Sequence, residues 1–389
     1  MEIKRAISNH VLNMAQEYPV LTIIGPRQSG KTTLAKMLFP DHRYVNLEEP
    51  DNREFAEKYP RDFFKSYSGN LIIDEVQRVP ELLSYLQIIA DEKNKKGQFI
   101  LTGSHQPQIK ANIAQSLAGR TAVITLLPLS IGELSSTGLM LERDEYIYKG
   151  FMPRIYNENL TPKYMYQNYY ATYVERDVRQ LLNMGNQISF ERFIKLLAGR
   201  IGQIVNLNSL AGDVGVSQTT LTSWLSVLEA SFIVWRLNCY YNNFGKRIIK
   251  APKLYFTEVG LAANLLGIET PEQVYRDPLS GGLFENMVVA DALKTMFNQG
   301  KNPGLYYFRN QNGLEIDLIV SKGRDLTPIE IKSGSSFDAS FSKNIKMFRK
   351  LSDSIKDGYV VYGGDVRVKI EDTEFVNFRE VSSILTDII

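Results

Sequence analysis

The string GPRQSGKTT, from Gly25 to Thr33, has the spacing G-x-x-x-x-G-K-T. It follows the apolar run Val20-Leu21-Thr22-Ile23-Ile24 and leads into Leu34-Ala35-Lys36-Met37-Leu38, a good helix start. Strand, glycine-bounded loop and helix is the context that makes this pattern a phosphate site. Backbone N–H groups of the loop and the helix N-terminus favour an anion. Gly25, Pro26, Arg27, Gln28, Ser29, Gly30, Lys31, Thr32 and Thr33 are therefore the expected nucleotide-binding residues. Lys31 would reach the β- and γ-phosphates, and the Thr32 hydroxyl would hold Mg²⁺. A plain Gly-rich turn does not explain a Lys-Thr pair at the helix start.

A second acidic motif, Leu71-Ile72-Ile73-Asp74-Glu75, is an apolar strand ending in two carboxylates. In that position Asp74 would support Mg²⁺ through water, and Glu75 would polarise the attacking water as a general base. Ile100-Leu101-Thr102-Gly103-Ser104 is another apolar strand with a polar tip. Ser104 is the candidate for sensing the γ-phosphate, with His105 the weaker choice; the alternative is a simple Gly-Ser turn. Arg120 reads either as a phosphate-facing arginine or as a surface arginine before a strand. The first role could act in cis or as a finger on a neighbouring subunit. Arg27 is equally open.

A different set of acids lies near the C-terminus. Leu314-Glu315-Ile316-Asp317-Leu318-Ile319-Val320 and Pro328-Ile329-Glu330-Ile331-Lys332-Ser333 read as neighbouring strands. Alternate residues of a strand share a face, so Glu330 and Lys332 point one way while Ile329 and Ile331 point into a core. Asp317, Glu330 and Lys332 match the PD-(D/E)XK nuclease pattern. Asp317 and Glu330 could meet at a second Mg²⁺ or Mn²⁺, whose bound water would attack a phosphodiester. Lys332 would orient that water or stabilise the pentavalent phosphate. Glu285, on a preceding helix, is a further candidate metal ligand, and Glu315 a weaker one. The alternative is a nuclease fold without activity, or salt bridges at a sheet edge.

These residues need elements to hold them. Residues 1–19 read as an amphipathic lead-in helix, with Ile3, Ile7, Val11 and Met14 at helical spacing. Strand candidates at 20–24, 43–47, 70–74, 98–102 and 121–126 alternate with helices such as 79–94. That alternation predicts a doubly wound parallel sheet. Tyr166, Tyr169, Tyr170 and Tyr173 form a stripe read as the packed core of a helical lid. Leu207 to Ser217 suggests a helix, a glycine turn and a second helix capped by Ser217, which is helix-turn-helix spacing. Strand-like 232–239 and 253–256 follow, making a winged helix natural. The last segment reads α-β-β-β-α-β: a helix to about 297, strands near 305–309, 314–320 and 328–333, a helix over 340–351 and a strand at 358–363.

Nucleic acid is the partner expected for the middle segment. Ser217, Gln218, Thr219, Thr220 and Ser223 could bond phosphates and base edges. That helix carries no Arg or Lys, so positive charge would come from Lys246, Arg247, Lys250 and Lys253 on a phosphate-contacting wing. Protein contact or domain packing is the equal alternative. Arg154, Arg176 and Arg179 could instead couple nucleotide state to the rest of the chain.

Composition sets outer bounds. The 389 residues are 44% hydrophobic and 23% charged, with a net charge of +2, so overall charge selects no partner. Cys239 is the single cysteine and cannot form an internal disulfide. No apolar run approaches the roughly 20 residues of a membrane span. A cytoplasmic protein with no membrane partner is the expectation.

The strings GPRQSGKTTL, LIIDEVQRVPELL, LTGSHQ, SLAGRT and LPLSIGEL, followed by GFMPRIY, YYATYVERDVRQL and KAPKLYFTEVGLAANLL, cover nearly the whole chain in order. Together they resemble the bacterial and archaeal AAA-type (STAND-like) ATPases that carry a C-terminal domain of unknown function of the DUF4143 type. The resemblance implies an N-terminal ATPase, a winged-helix-like middle and a nuclease-like C-terminal fold. The expected fold class is therefore α/β: a P-loop doubly wound sheet (1–128), a helical lid (129–188), a winged-helix segment (189–256) and a restriction-endonuclease-like domain (257–389). ATP and Mg²⁺ are the expected cofactors. DNA or RNA and a second copy of the chain are the candidate partners.

Overall fold

A computed structural model describes residues 3–93, 95–104, 116–178, 187–241 and 251–389, the side chains of 175–177 excepted. His105, Arg179, Lys246, Arg247 and Lys250 lie outside the described residues, as does the Arg176 side chain.

The N-terminal sheet is built from β1 (Val20–Ile24), β2 (Arg43–Asn46), β3 (Leu71–Asp74), β4 (Phe99–Gly103) and β5 (Thr121–Thr125). Its order is β2-β3-β4-β1-β5, and every pairing is parallel. All five residues of β1 are buried, which suits an apolar strand covered on both faces. The expected strands agree with these to within a residue at either end. Parallel pairing puts the C-terminal ends of β1, β3 and β4 on one edge, so the phosphate loop, Asp74-Glu75 and Ser104 emerge together. Helix Ser8–Glu17 lies on the same layer as helix Lys31–Leu38, with Ile7, Val11, Leu34 and Ala35 in one apolar cluster.

Helices from Ile131–Ser135 to Pro162–Tyr169 follow, and the chain continues as a π-helical segment, Tyr170–Val178. Tyr166, Tyr169 and Tyr173 are buried. The Tyr166 hydroxyl donates to Glu258 Oε1 at 3.0 Å, and the Tyr173 hydroxyl to the Ser231 carbonyl at 3.0 Å. Helix Leu207–Val214 is capped by Asn206 and ends at Gly215, whose φ of 80° places it in the left-handed region. Ser217 then caps helix Gln218–Ala230 through the Thr220 amide. β6 (Val234–Leu237) and β7 (Lys253–Phe256) make an antiparallel ribbon.

The C-terminal sheet runs β12-β13-β11-β10-β9-β8. It comprises β8 (Leu305–Arg309), β9 (Glu315–Lys322), β10 (Asp325–Lys332), β11 (Gly358–Tyr362), β12 (Val368–Ile370) and β13 (Thr373–Asn377). Helix Ser280–Asn298 is buried almost throughout from Leu283 to Met296, as a helix apolar on most faces must be. The expected α-β-β-β-α-β order is followed by β12, β13 and helix Val381–Ile388, which were not foreseen. Among the described residues no helix is long and apolar enough to cross a membrane.

Candidate functional site

The phosphate loop leaves β1 at Gly25, where a Cβ would run into the Leu126 carbonyl oxygen, so only glycine fits. Gly30, at φ 92°, turns the chain into helix Lys31–Leu38. Two non-glycine residues also hold left-handed backbone at this edge, Gln28 at φ 63° and Glu75 at φ 55°. Such conformations cost free energy and concentrate at functional sites.

Lys31 is buried, and its ammonium donates to the carbonyls of Gly25 at 3.1 Å and Pro26 at 2.8 Å. Burial pushes its pKa down, while Glu75 and Asp74 push it back up. The Thr32 hydroxyl donates to Asp74 at 2.9 Å (Oδ1) and 3.0 Å (Oδ2). Asp74 also accepts from the Tyr44 hydroxyl at 2.9 Å and from the Thr102 hydroxyl. Burial pushes the Glu75 carboxyl up, but Lys31, the Gln77 amide and Arg27 outweigh it and hold it below the ordinary value. Ser104 Oγ donates to Glu75 Oε2 at 3.1 Å.

Of these groups, Lys31, Thr32 and Glu75 face a cavity of about 430 Å³ that is also lined by Arg27, Arg154 and Tyr173. Arg27 lies 3.4 Å from Glu48 and over the Tyr173 ring at 5.8 Å. Arg154 is held by Glu158 through two hydrogen bonds, of 2.8 and 2.7 Å. Lys31, Thr32, Asp74, Glu75 and Ser104 are thus brought together as expected from sequence. Tyr44 and Thr102 were missed. Their contacts cross from one strand to another, and only the alternation of strand residues could have hinted at them.

Of the two readings of Arg120, the structure favours the surface arginine before a strand. It precedes β5, its carbonyl accepts from the Val20 amide at the start of β1, and its guanidinium pairs with Asp91 at 2.5 Å. That is the opposite edge of the parallel sheet from the phosphate loop, so within one chain Arg120 does not face the phosphates.

In the C-terminal sheet, Asp317 Oδ2 accepts from the Ile331 amide at 2.9 Å and from Lys332 Nζ at 3.2 Å. Lys332 also donates to Glu330 Oε2 at 2.6 Å. Burial, and next the Asp317 charge, push the Glu330 carboxyl up to about 8. Glu285 does not join this pair. Its Oε1 accepts from Lys253 Nζ at 3.0 Å and from the Tyr255 hydroxyl at 2.5 Å. Lys253 also contacts Glu315 at 2.7 Å, and Arg309 reaches Glu315 at 3.3 Å.

Among the described residues no three metal-ligating side chains converge. Of the expected metal set, Asp317 and Glu330 share Lys332, while Glu285 is bonded to Lys253 and Tyr255. Lys253 was read as a phosphate-contacting wing residue, and this is corrected. Its side chain is 3% exposed and neutralised by two carboxylates. Burial lowers its pKa, but Glu285, Asp317 and Glu315 outweigh that and hold it above the ordinary value.

Fold and site define an α/β protein with a P-loop ATPase-like parallel sheet, and residues 17–135 match the AAA domain family. Residues 140–272 and 280–381 match two domains of unknown function, DUF8612 and DUF4143. The chain is 30% identical over 361 residues to "Uncharacterized protein Rv2008c" of Mycobacterium tuberculosis, covering 91% of this chain and 79% of that protein. It belongs to the same family as that protein. An uncharacterized protein of Haemophilus influenzae is 23% identical over 348 residues, 80% of this chain and 82% of its own. Among solved structures, the Walker-type ATPase PABY2304 of Pyrococcus abyssi aligns with 67% of this chain and 94% of its own at 13% identity and TM-score 0.42.

Proposed function

We propose that this chain binds and hydrolyses ATP with Mg²⁺, and that its nucleotide state controls a nuclease-like C-terminal unit on nucleic acid. The observation that carries the reading is that Lys31, Thr32 and Glu75 line one cavity, with Asp74 bonded to the Thr32 hydroxyl beside it. Thr32 and Asp74 fit a divalent cation: a hydroxyl and a carboxylate within hydrogen-bond distance, on elements fixed by the sheet. Bound there, Mg²⁺ would supply positive charge to offset that of the phosphates. The chain's own residues do the rest. The loop amides and Lys31 bind the phosphates. Glu75, held ionised, takes the proton of the attacking water. Ser104, bonded to Glu75, is placed to respond when a γ-phosphate arrives. Arg154 lines the same cavity and would exchange Glu158 for a phosphate oxygen. Arg120 would contribute only to a neighbouring copy's site, as an arginine finger in a homo-oligomer.

The helices Leu207–Val214 and Gln218–Ala230 with the β6–β7 ribbon have the element order of a winged helix. Ser217, Gln218, Thr219 and Ser223 are exposed on one such helix. Asp317, Glu330 and Lys332 sit on adjacent strands, as a PD-(D/E)XK site requires. One observation favours a non-cleaving switch over a nuclease: Glu285 is paired with the buried Lys253 rather than directed to Asp317 and Glu330. The test of the nucleotide reading is Lys31→Ala, which should abolish ATP binding by the full chain. A variant with wild-type affinity would sink the assignment.

A further inference from the structure

The motif LPLSIGEL, residues 127–134, has no part in the chemistry above. The structure makes it the middle of a buried polar chain. Arg5 is 6% exposed and spends its whole guanidinium on this region. Nη1 donates to the carbonyl of Ser29 in the phosphate loop at 2.8 Å, Nη2 to the Leu127 carbonyl at 2.7 Å, and Nε to Glu133 Oε1 at 2.9 Å. Glu133 Oε2 accepts the Ser130 amide at 2.8 Å, and Ser130 Oγ accepts the Glu133 amide at 3.1 Å, closing a capping box. The next amide, that of Ile131, donates at 2.7 Å to Asp291 Oδ1 on helix Ser280–Asn298. Ser382 Oγ donates at 3.1 Å to the other Asp291 oxygen.

We propose that Arg5 is a positioning residue for the phosphate loop, and that the Ser130–Glu133 turn and Asp291 carry its position to the C-terminal unit. The inference rests on the nucleotide reading of that loop. Three features support it beyond the distances. A buried ion pair adds little net stability over apolar packing of the same volume, and three fixed bonds to one guanidinium specify geometry instead. The seam where the units meet is not filled: a cavity of about 290 Å³ is bordered by Arg5, Ser130, Glu133, Thr295 and Ser382, leaving room for movement. Helix Ser280–Asn298 carries Asp291 and, nearer its N-terminus, Glu285, so a shift at one is felt at the other.

The test is ATP binding by the full chain in a double-mutant cycle of Arg5→Lys and Asp291→Ala, with thermal denaturation in parallel. Arg5→Lys should weaken ATP binding about tenfold, and Asp291→Ala about threefold, although Asp291 touches no loop residue. The double variant should bind no more weakly than Arg5→Lys alone, because both changes break one chain. If Asp291→Ala does not fold, Ser382→Ala replaces it in the cycle. Additive effects, or a lowered melting temperature with unchanged affinity, would overturn the relay and leave the nucleotide site standing. Absence of ATP binding by the wild-type chain would overturn the site reading, and the relay with it.

Discussion

Two sheets of this molecule each present paired acids and a lysine at a strand end, and they treat the charges differently. At the N-terminal sheet Lys31 turns onto backbone carbonyls, and Asp74 is held by the hydroxyls of Thr32, Tyr44 and Thr102. Glu75 is held by Gln77 and Ser104. At the C-terminal sheet the acids are held by ammonium groups: Glu285 and Glu315 by Lys253, Asp317 and Glu330 by Lys332. A hydroxyl brings no positive charge to the carboxylate it holds. A carboxylate held by an ammonium already has a cation beside it, and at Lys253, which is buried, displacing that cation would leave a buried charge alone. Residue type and strand spacing alone therefore do not distinguish acids held by hydroxyls from acids held by ammonium groups.

Breaking the first site should have the largest effect. Glu75→Gln preserves the shape and the bonds to Gln77 and Ser104 but removes the proposed base. Its kcat for ATP should fall by about 10²–10⁴-fold with ATP affinity retained, measured by steady-state hydrolysis beside nucleotide binding. The second site should show itself in stability against pH. The Glu330 carboxyl is raised from 4.5 to about 8 in the folded chain. Between those values the folded chain holds a proton that the unfolded chain has released, so stability falls as pH rises through this window. Lys332 stays charged throughout, because its neighbours hold its pKa above the ordinary value. Melting temperatures from pH 5 to pH 8 should decline, and Glu330→Gln should flatten that decline. The smallest effect is expected at Tyr44→Phe. Loss of its bond to Asp74 should lower kcat by about 3- to 10-fold, the worth of one partly buried hydrogen bond of about 1 kcal/mol.

Much of the first site was legible because its parts are local in sequence. The loop between β1 and its helix is one continuous string, and Asp74-Glu75 and Ser104 each end a short apolar run of strand length between turn signals. Parallel pairing then brings three such ends to one edge. Tyr44, Thr102 and Arg5 were not legible, because each acts across the sheet or from a segment whose own spacing shows only a helix. Lys253 was misread for the opposite reason. Its neighbours in sequence, Lys246, Arg247 and Lys250, suggested a solvated basic wing, while its partners Glu285 and Glu315 lie in other elements. Arg120 stayed open between two readings in sequence, because its surface partner Asp91 lies on another element.

The contrast between the two acid clusters is tested most directly by counting bound Mn²⁺ with electron paramagnetic resonance on the full chain, with and without a non-hydrolysable ATP analogue. The account predicts one Mn²⁺ per chain when the analogue is present, lost in Lys31→Ala and unchanged in Asp317→Ala. A second Mn²⁺ that is bound without nucleotide and disappears in Asp317→Ala would contradict it.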